Sequence, residues 1–219
     1  MTAVDDTPVE KAVGAKARWD QCAVTANLAL AVWLAADIVR IMVFSGEFHI
    51  KWLEGAEIGI LAIAILLVMQ RPRPRHQDAS FTTIAIAIGA TLLPVLYGVL
   101  GVNVRPSSLV ITAQAFALAL MGAALVCRGT NFSVLPHYRS LVATGPYRLI
   151  RHPIYASYLL FDGALVVGAR SEIGAILWIV ELALLSVRAR IEEQLLAESN
   201  PEYLCYSAAT HCRLIPFLV

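Results

Sequence analysis

The chain has 219 residues, 58% of them hydrophobic and 15% charged, with a formal net charge of +1 and a mean hydropathy of +0.69. Soluble domains carry about 25% charged residues, so this deficit excludes an ordinary soluble domain and points to lipid as the solvent. A net charge near zero gives no footing for a nucleic-acid partner, and the length suits one domain over residues 1–219.

Residues 1–20 are polar. The apolar stretch after them exceeds the roughly 7–15 residues of a signal-peptide core, so it is expected to stay as an anchor. Apolar stretches at 22–44, 53–70, 81–101 and 108–127 are 18 to 23 residues long, near the roughly 20 needed to cross about 30 Å of hydrocarbon. Two shorter stretches, 154–169 and 173–190, are joined by Gly168 to Glu172 and read as a tight helical hairpin. The second is expected to run on as an amphipathic extension from Arg188 to Leu196. The expected fold is all-α, a polytopic membrane helix bundle with about six transmembrane segments. Four N-terminal helices fill 1–127, and a distinct C-terminal region fills 128–219.

Orientation follows from Lys and Arg. With six crossings, both termini and the loops at 71–80 and 128–153 share one side. That side holds thirteen basic residues, and only Arg40, Lys51, Arg105 and Arg170 fall elsewhere. The thirteen mark the cytoplasmic face, so the protein is expected to be multi-pass with both termini cytoplasmic, in the inner or plasma membrane of a prokaryote. Arg71-Pro-Arg-Pro-Arg75 reads as a stiff connector touching anionic headgroups, and Pro94 as a kink.

Asp37, Arg40, Asp162 and Glu181 fall within apolar stretches, where charge is costly and points to function. Asp37 and Arg40 can pair with each other. Asp162 and Glu181 can meet across the hairpin, either as a packing contact or as part of an acceptor tunnel. Trp33, Trp52 and Trp178 read as lipid-facing or interfacial anchors, and Gly59, Gly89, Gly122 and Gly163 as sites of close helix packing. Cys22, Cys127, Cys205 and Cys212 have no CxxC spacing, none needs a disulfide, and His211-Cys212 lacks further ligands for a metal.

The most informative stretch is 144–158. A turn signal at Gly145-Pro146-Tyr147 leads into a basic run from Arg148 to His152, and no Asp or Glu occurs between Arg128 and Phe161. Pro153 suits the first turn of a helix, which puts His152 at the N-cap, beside free N–H groups and the positive dipole end. A carboxylate or phosphate is welcome there. Farther on, Arg188 and Glu192 are four apart on one helix face.

Together these residues resemble the integral-membrane methyltransferases of the isoprenylcysteine carboxyl methyltransferase and phospholipid methyltransferase group. Their signature reads Leu-Val-x-x-Gly-Pro-Tyr-x-x-x-Arg-His-Pro-x-Tyr, with Arg-x-x-x-Glu-Glu on a later helix. Here it is Leu141-Val142, Gly145-Pro146-Tyr147, Arg151-His152-Pro153 and Tyr155, then Arg188 with Glu192-Glu193, and Tyr203 with Tyr206 after Pro201. The resemblance covers about residues 128–213, and residues 1–110 share only their membrane-helix character. Arg139 stands where the family often has His, with His137 displaced by two, and Ser157 replaces a frequent Gly. Both departures bear on the acceptor.

The resemblance implies S-adenosylmethionine as cofactor, in a cytosolic pocket between the Gly-Pro-Tyr loop, the Arg-His-Pro turn and the tail helix. Leu141, Val142, Gly145, Pro146, Tyr147, Arg151, His152, Tyr155, Glu192 and Glu193 are its implied binding residues. Arg151, His152 and helix N–H groups suit the cofactor carboxylate. Glu192 or Glu193 suits the ammonium or the ribose hydroxyls, and Tyr147 and Tyr155 suit the adenosine. The acceptor should be lipophilic and enter sideways from the bilayer. A carboxylate acceptor needs a positioning cation, first Arg188 and then Arg151 or Arg148, whereas an amine or thiol needs a base, Glu192 or Glu193.

Two other readings compete. One is a membrane reductase or isomerase of sterol or polyene type, since sterol reductases, which bind NADPH, look similar around an Arg-His-Pro turn, but the acids Glu192-Glu193 would repel the extra phosphate. A non-enzymatic membrane scaffold or channel subunit would be supported by rows of like charge on a pore-lining helix, and the sequence has none.

Overall fold

In the computed structural model, the described residues are 51–70, 107–129 and 141–214, with single positions between 86 and 102. Their regular elements are all helices, without a strand. The helices are α1 (Lys51–Gln70), α2 (Ser108–Arg128), α3 (Pro153–Ala169), α4 (Glu172–Ser199) and α5 (Glu202–Ala209), with a 3-10 turn at Gly145–Arg148. The expected stretch at 22–44, the Arg71–Arg75 connector and the Asp37–Arg40 pair lie outside the described residues. Pro94 falls on a helical position within the expected third stretch.

α2 is long and apolar enough to cross a membrane, while Gly55–Leu67 and Pro153–Ala169 are shorter apolar helical runs. Ser107 caps α2 by accepting from the Val110 N–H at 3.3 Å. Gly129, with φ +52°, ends the helix in a conformation that glycine adopts without strain. Between them Val110, Gln114, Ala117, Leu118, Met121, Ala124 and Leu125 form one buried stripe at helical spacing. Leu109, Phe116 and Val126 on the other face stay exposed, as a face toward lipid would.

The buried stripe packs against α1 and α3, and the core combines Leu61 and Ala64 with Leu118, Met121, Ile154, Leu159, Leu185 and Ala189. The hairpin expected from the sequence is present. α3 ends at Arg170 in a left-handed conformation (φ 51°), and Ser171 starts α4 by accepting from the Gly174 N–H at 3.1 Å. α4 runs unbroken past the apolar stretch to Ser199, which carries Arg188, Glu192 and Glu193 beyond the hairpin's apolar part.

Trp178 differs from its expected role as a lipid anchor. Its indole N–H donates to the Leu159 carbonyl at 2.8 Å, and the ring lies where Gly163 leaves room, 3.0 Å from the position of an added Cβ. The absent side chain at Gly163 lets α4 staple itself to α3. Within the hairpin, Asp162 and Glu181 are both buried and lie within electrostatic reach of each other, and the Tyr97 hydroxyl donates to Glu181 at 3.3 Å.

Candidate active site

The turn before α3 is set by glycine. Gly145 has φ +56°, and a Cβ there would lie 2.5 Å from the Cys127 sulfur on α2. The Pro146 carbonyl then accepts from the N–H groups of Leu149 and Ile150, both at 3.1 Å. This tight turn buries Tyr147. Leu141 and Val142 lead into it outside any regular element, with Val142 against the core.

Past the turn, the chain pairs with its own tail. Ile150 and Cys212 form an isolated parallel bridge, Arg151 N–H donates to the Cys212 carbonyl at 2.8 Å, and His152 N–H to that of Arg213 at 3.1 Å. The Tyr206 hydroxyl adds a bond to the Tyr147 carbonyl at 2.6 Å. Pro153 starts α3 and His152 occupies the N-cap, as the sequence suggests, although its imidazole makes no capping bond.

That imidazole is buried between two acids from α4. Nε2 lies 3.2 Å from Glu193 Oε1, and Nδ1 lies 3.9 Å from Glu192 Oε2. Its ring also stacks on Tyr155, with centroids 5.3 Å apart and planes within 3°. Residues distant in sequence therefore converge where α3 begins and α4 leaves the hairpin.

The two neighbouring acids serve different partners. Glu193 accepts from Arg151 Nη1 at 3.1 Å and from Arg213, with Nη2 at 2.8 Å and Nε at 3.0 Å, besides its contact with His152. Burial would raise its pKa, but the hydrogen bonds and charges of His152, Arg213 and Arg151 win and lower it to about 2. Glu192 instead accepts from the Tyr155 hydroxyl and lies 3.5 Å from Arg188 Nε. The Arg188 guanidinium sits over the Tyr155 ring, 5.0 Å from its centroid.

Arg151 is committed to the tail. Besides Glu193, its Nε donates to the Thr210 carbonyl at 2.7 Å and its Nη2 to that of His211 at 3.2 Å. Arg148 is exposed on the 3-10 turn. Arg188 is accordingly the buried cation beside Tyr155 and Glu192, and Arg151 is the cation that fastens the tail.

Sequence reasoning passed over two residues at this site. Arg213 is one of the thirteen basic residues on the expected cytoplasmic side, and its pairing with Glu193 depends on the return of the tail, which no local spacing encodes. Arg128 ends α2 and donates from Nη1 to the Tyr147 hydroxyl at 3.4 Å. The signal available for it was the acid-free interval that it opens.

These residues form an all-helical region built on an Arg-His-Pro turn and an Arg-x-x-x-Glu-Glu helix. Residues 107–198 match the model of the isoprenylcysteine carboxyl methyltransferase (ICMT) family. That span, from the cap of α2 nearly to the end of α4, agrees with the sequence resemblance, and the match supports a membrane methyltransferase in kind. No curated protein matches the chain.

Proposed function

We propose that the protein transfers a methyl group from S-adenosylmethionine to the carboxylate of a lipophilic acceptor entering from the bilayer. The observation supporting this most directly is the convergence of Tyr155, Arg188 and Glu192 beside His152, where α3 begins and α4 emerges. The residues fit the cofactor chemically. Tyr147 and Tyr155 offer aromatic walls for an adenosine, and Glu192 offers a carboxylate for an ammonium or ribose hydroxyls. When bound, the cofactor supplies an electrophilic methyl on a sulfonium.

The chain's own part is placement. A carboxylate acceptor is already ionised near neutral pH and needs no general base. Arg188 is held on one side by Glu192 and on another by the Tyr155 ring, so it can seat that carboxylate with little loss of side-chain freedom. Alignment of this kind can supply several kcal/mol. Glu193, Arg151 and Arg213 keep the tail closed over the turn, and they act as positioning residues. We further place the chain as a multi-pass protein of about six crossings, with this site and both termini on the cytoplasmic side.

Isothermal titration of the detergent-purified protein with S-adenosylhomocysteine tests the reading. Saturable binding that is lost in Glu192→Ala or His152→Ala is the expected result. Binding of NADPH with none of S-adenosylhomocysteine would overturn it.

A further inference from the structure

Among the described residues, Arg128 has few partners for its position. Its guanidinium lies over the Tyr147 ring, 5.8 Å from the centroid, and its bond to the phenol is long at 3.4 Å, beyond the usual 2.7–3.2 Å or so. Among the described residues it forms no salt bridge, although it lies within electrostatic reach of Glu192 and Tyr155.

The surrounding acids are already matched. Glu193 faces Arg151 and Arg213, and Glu192 faces Arg188. Among the described residues Arg128 is therefore a cation without a matched acid of its own beside this cluster, and a partly buried cation is stabilised by an anion at bonding distance. The same geometry displaces an expectation. Arg151 and His152 were the sequence's choice for the cofactor carboxylate, yet Arg151 bonds Glu193 and two tail carbonyls, and His152 is held by Glu193.

We infer that Arg128 is a cofactor-binding residue whose guanidinium takes the aminoacyl carboxylate of S-adenosylmethionine. It stands beside Tyr147 and within reach of Tyr155, the two walls suited to the adenosine, whereas Arg188 lies over the Tyr155 ring and is kept for the acceptor. The inference rests on the cofactor proposed above.

The test compares S-adenosylhomocysteine with its decarboxylated analogue, S-adenosyl-3-thiopropylamine, by isothermal titration of the full-length protein. A charge-assisted bond of this kind corresponds to about 10-fold or more in affinity. The wild type should prefer S-adenosylhomocysteine by that factor. Arg128→Met should lose the preference by weakening S-adenosylhomocysteine alone, and Arg128→Lys should restore part of it.

A wild type that does not distinguish the two ligands overturns the assignment without any variant. So does an Arg128→Met protein that keeps the preference or loses both ligands equally; in each of these cases S-adenosylhomocysteine still binds the wild type, and the proposed cofactor stands. A wild type that binds neither ligand removes the cofactor reading and this assignment with it.

Discussion

His152 and Glu193 meet at 3.2 Å, Nε2 to Oε1, and join the first turn of α3 to the emerging end of α4. Arg151 and Arg213 complete a ring of basic groups around the same carboxylate. Glu193 thereby links three segments: the turn, the long helix and the tail.

The depressed pKa of Glu193, about 2 against an ordinary 4.5, fixes the sign of its pH dependence. A carboxylate with a lowered folded pKa contributes stability that is fully present above about 4.5 and is lost as pH falls toward 2. Glu193→Gln should destabilise the protein at neutral pH by about 3 kcal/mol, as removal of one partner from a buried ion pair does. The gap from wild type should narrow below pH 4.5. Thermal unfolding of both proteins across pH 2–7, in the acid-tolerant range of the detergent, checks this; curves that stay parallel would contradict it.

Gly145→Ala tests the turn. The substitution strains a backbone at φ +56° and drives a Cβ to 2.5 Å from the Cys127 sulfur. The left-handed conformation alone costs about 1–2 kcal/mol for a residue with a Cβ. Adding Cys127→Ala should remove the clash and leave that strain, giving partial recovery of the unfolding temperature. Full recovery would show that the backbone conformation costs nothing.

Much of this architecture was legible because its signals are local. Pro153 marked the start of α3, the small and polar residues around Ser171 marked the hairpin turn, and the i, i+4 spacing of Arg188 and Glu192 placed both on one face. The signature residues lie on the turn before α3, on α3 and on α4, and each half is a contiguous motif. Roles decided by tertiary return were not legible. Arg151 and Arg188 look alike as isolated arginines, and only the parallel pairing of Ile150 with Cys212 commits the first to the tail. Glu192 and Glu193 are adjacent, but one helix step turns them toward different partners. Trp178 reads as an interfacial anchor until Gly163 is found beneath it.

Tyr155 makes three contacts that substitutions can separate. Its hydroxyl donates to Glu192, its ring stacks on His152, and the Arg188 guanidinium lies over the ring. Tyr155→Phe removes only the hydroxyl and should weaken S-adenosylhomocysteine binding about 10-fold, the scale of one hydrogen bond to a charged group. Tyr155→Leu also removes the aromatic wall proposed for the adenosine and should weaken it further, by the roughly 1 kcal/mol or more of a base–aromatic contact. Titration of the two variants separates the contributions. Equal affinities would assign the whole effect to the hydroxyl.

Arg188 carries the prediction closest to the chemistry. It is buried beside Glu192 and the Tyr155 ring, so its loss perturbs cofactor binding only through those neighbours. As the cation for an acceptor carboxylate, its contribution should appear mainly when the acceptor is aligned for transfer. Interactions made chiefly in the transition state lower turnover on removal and leave binding of the other substrate little changed. Arg188→Ala should therefore reduce radiolabelled methyl transfer into lipid extracts by about 100-fold or more, on the scale of a lost charged contact at a reacting group. Its affinity for S-adenosylhomocysteine should fall by less than about 10-fold, since Glu192 keeps the Tyr155 hydroxyl. Equal losses in turnover and affinity would move Arg188 to the cofactor and leave the acceptor carboxylate without its cation. Arg188→Lys distinguishes charge from shape: a point charge should recover part of the turnover, but not the paired geometry that a planar guanidinium gives a carboxylate.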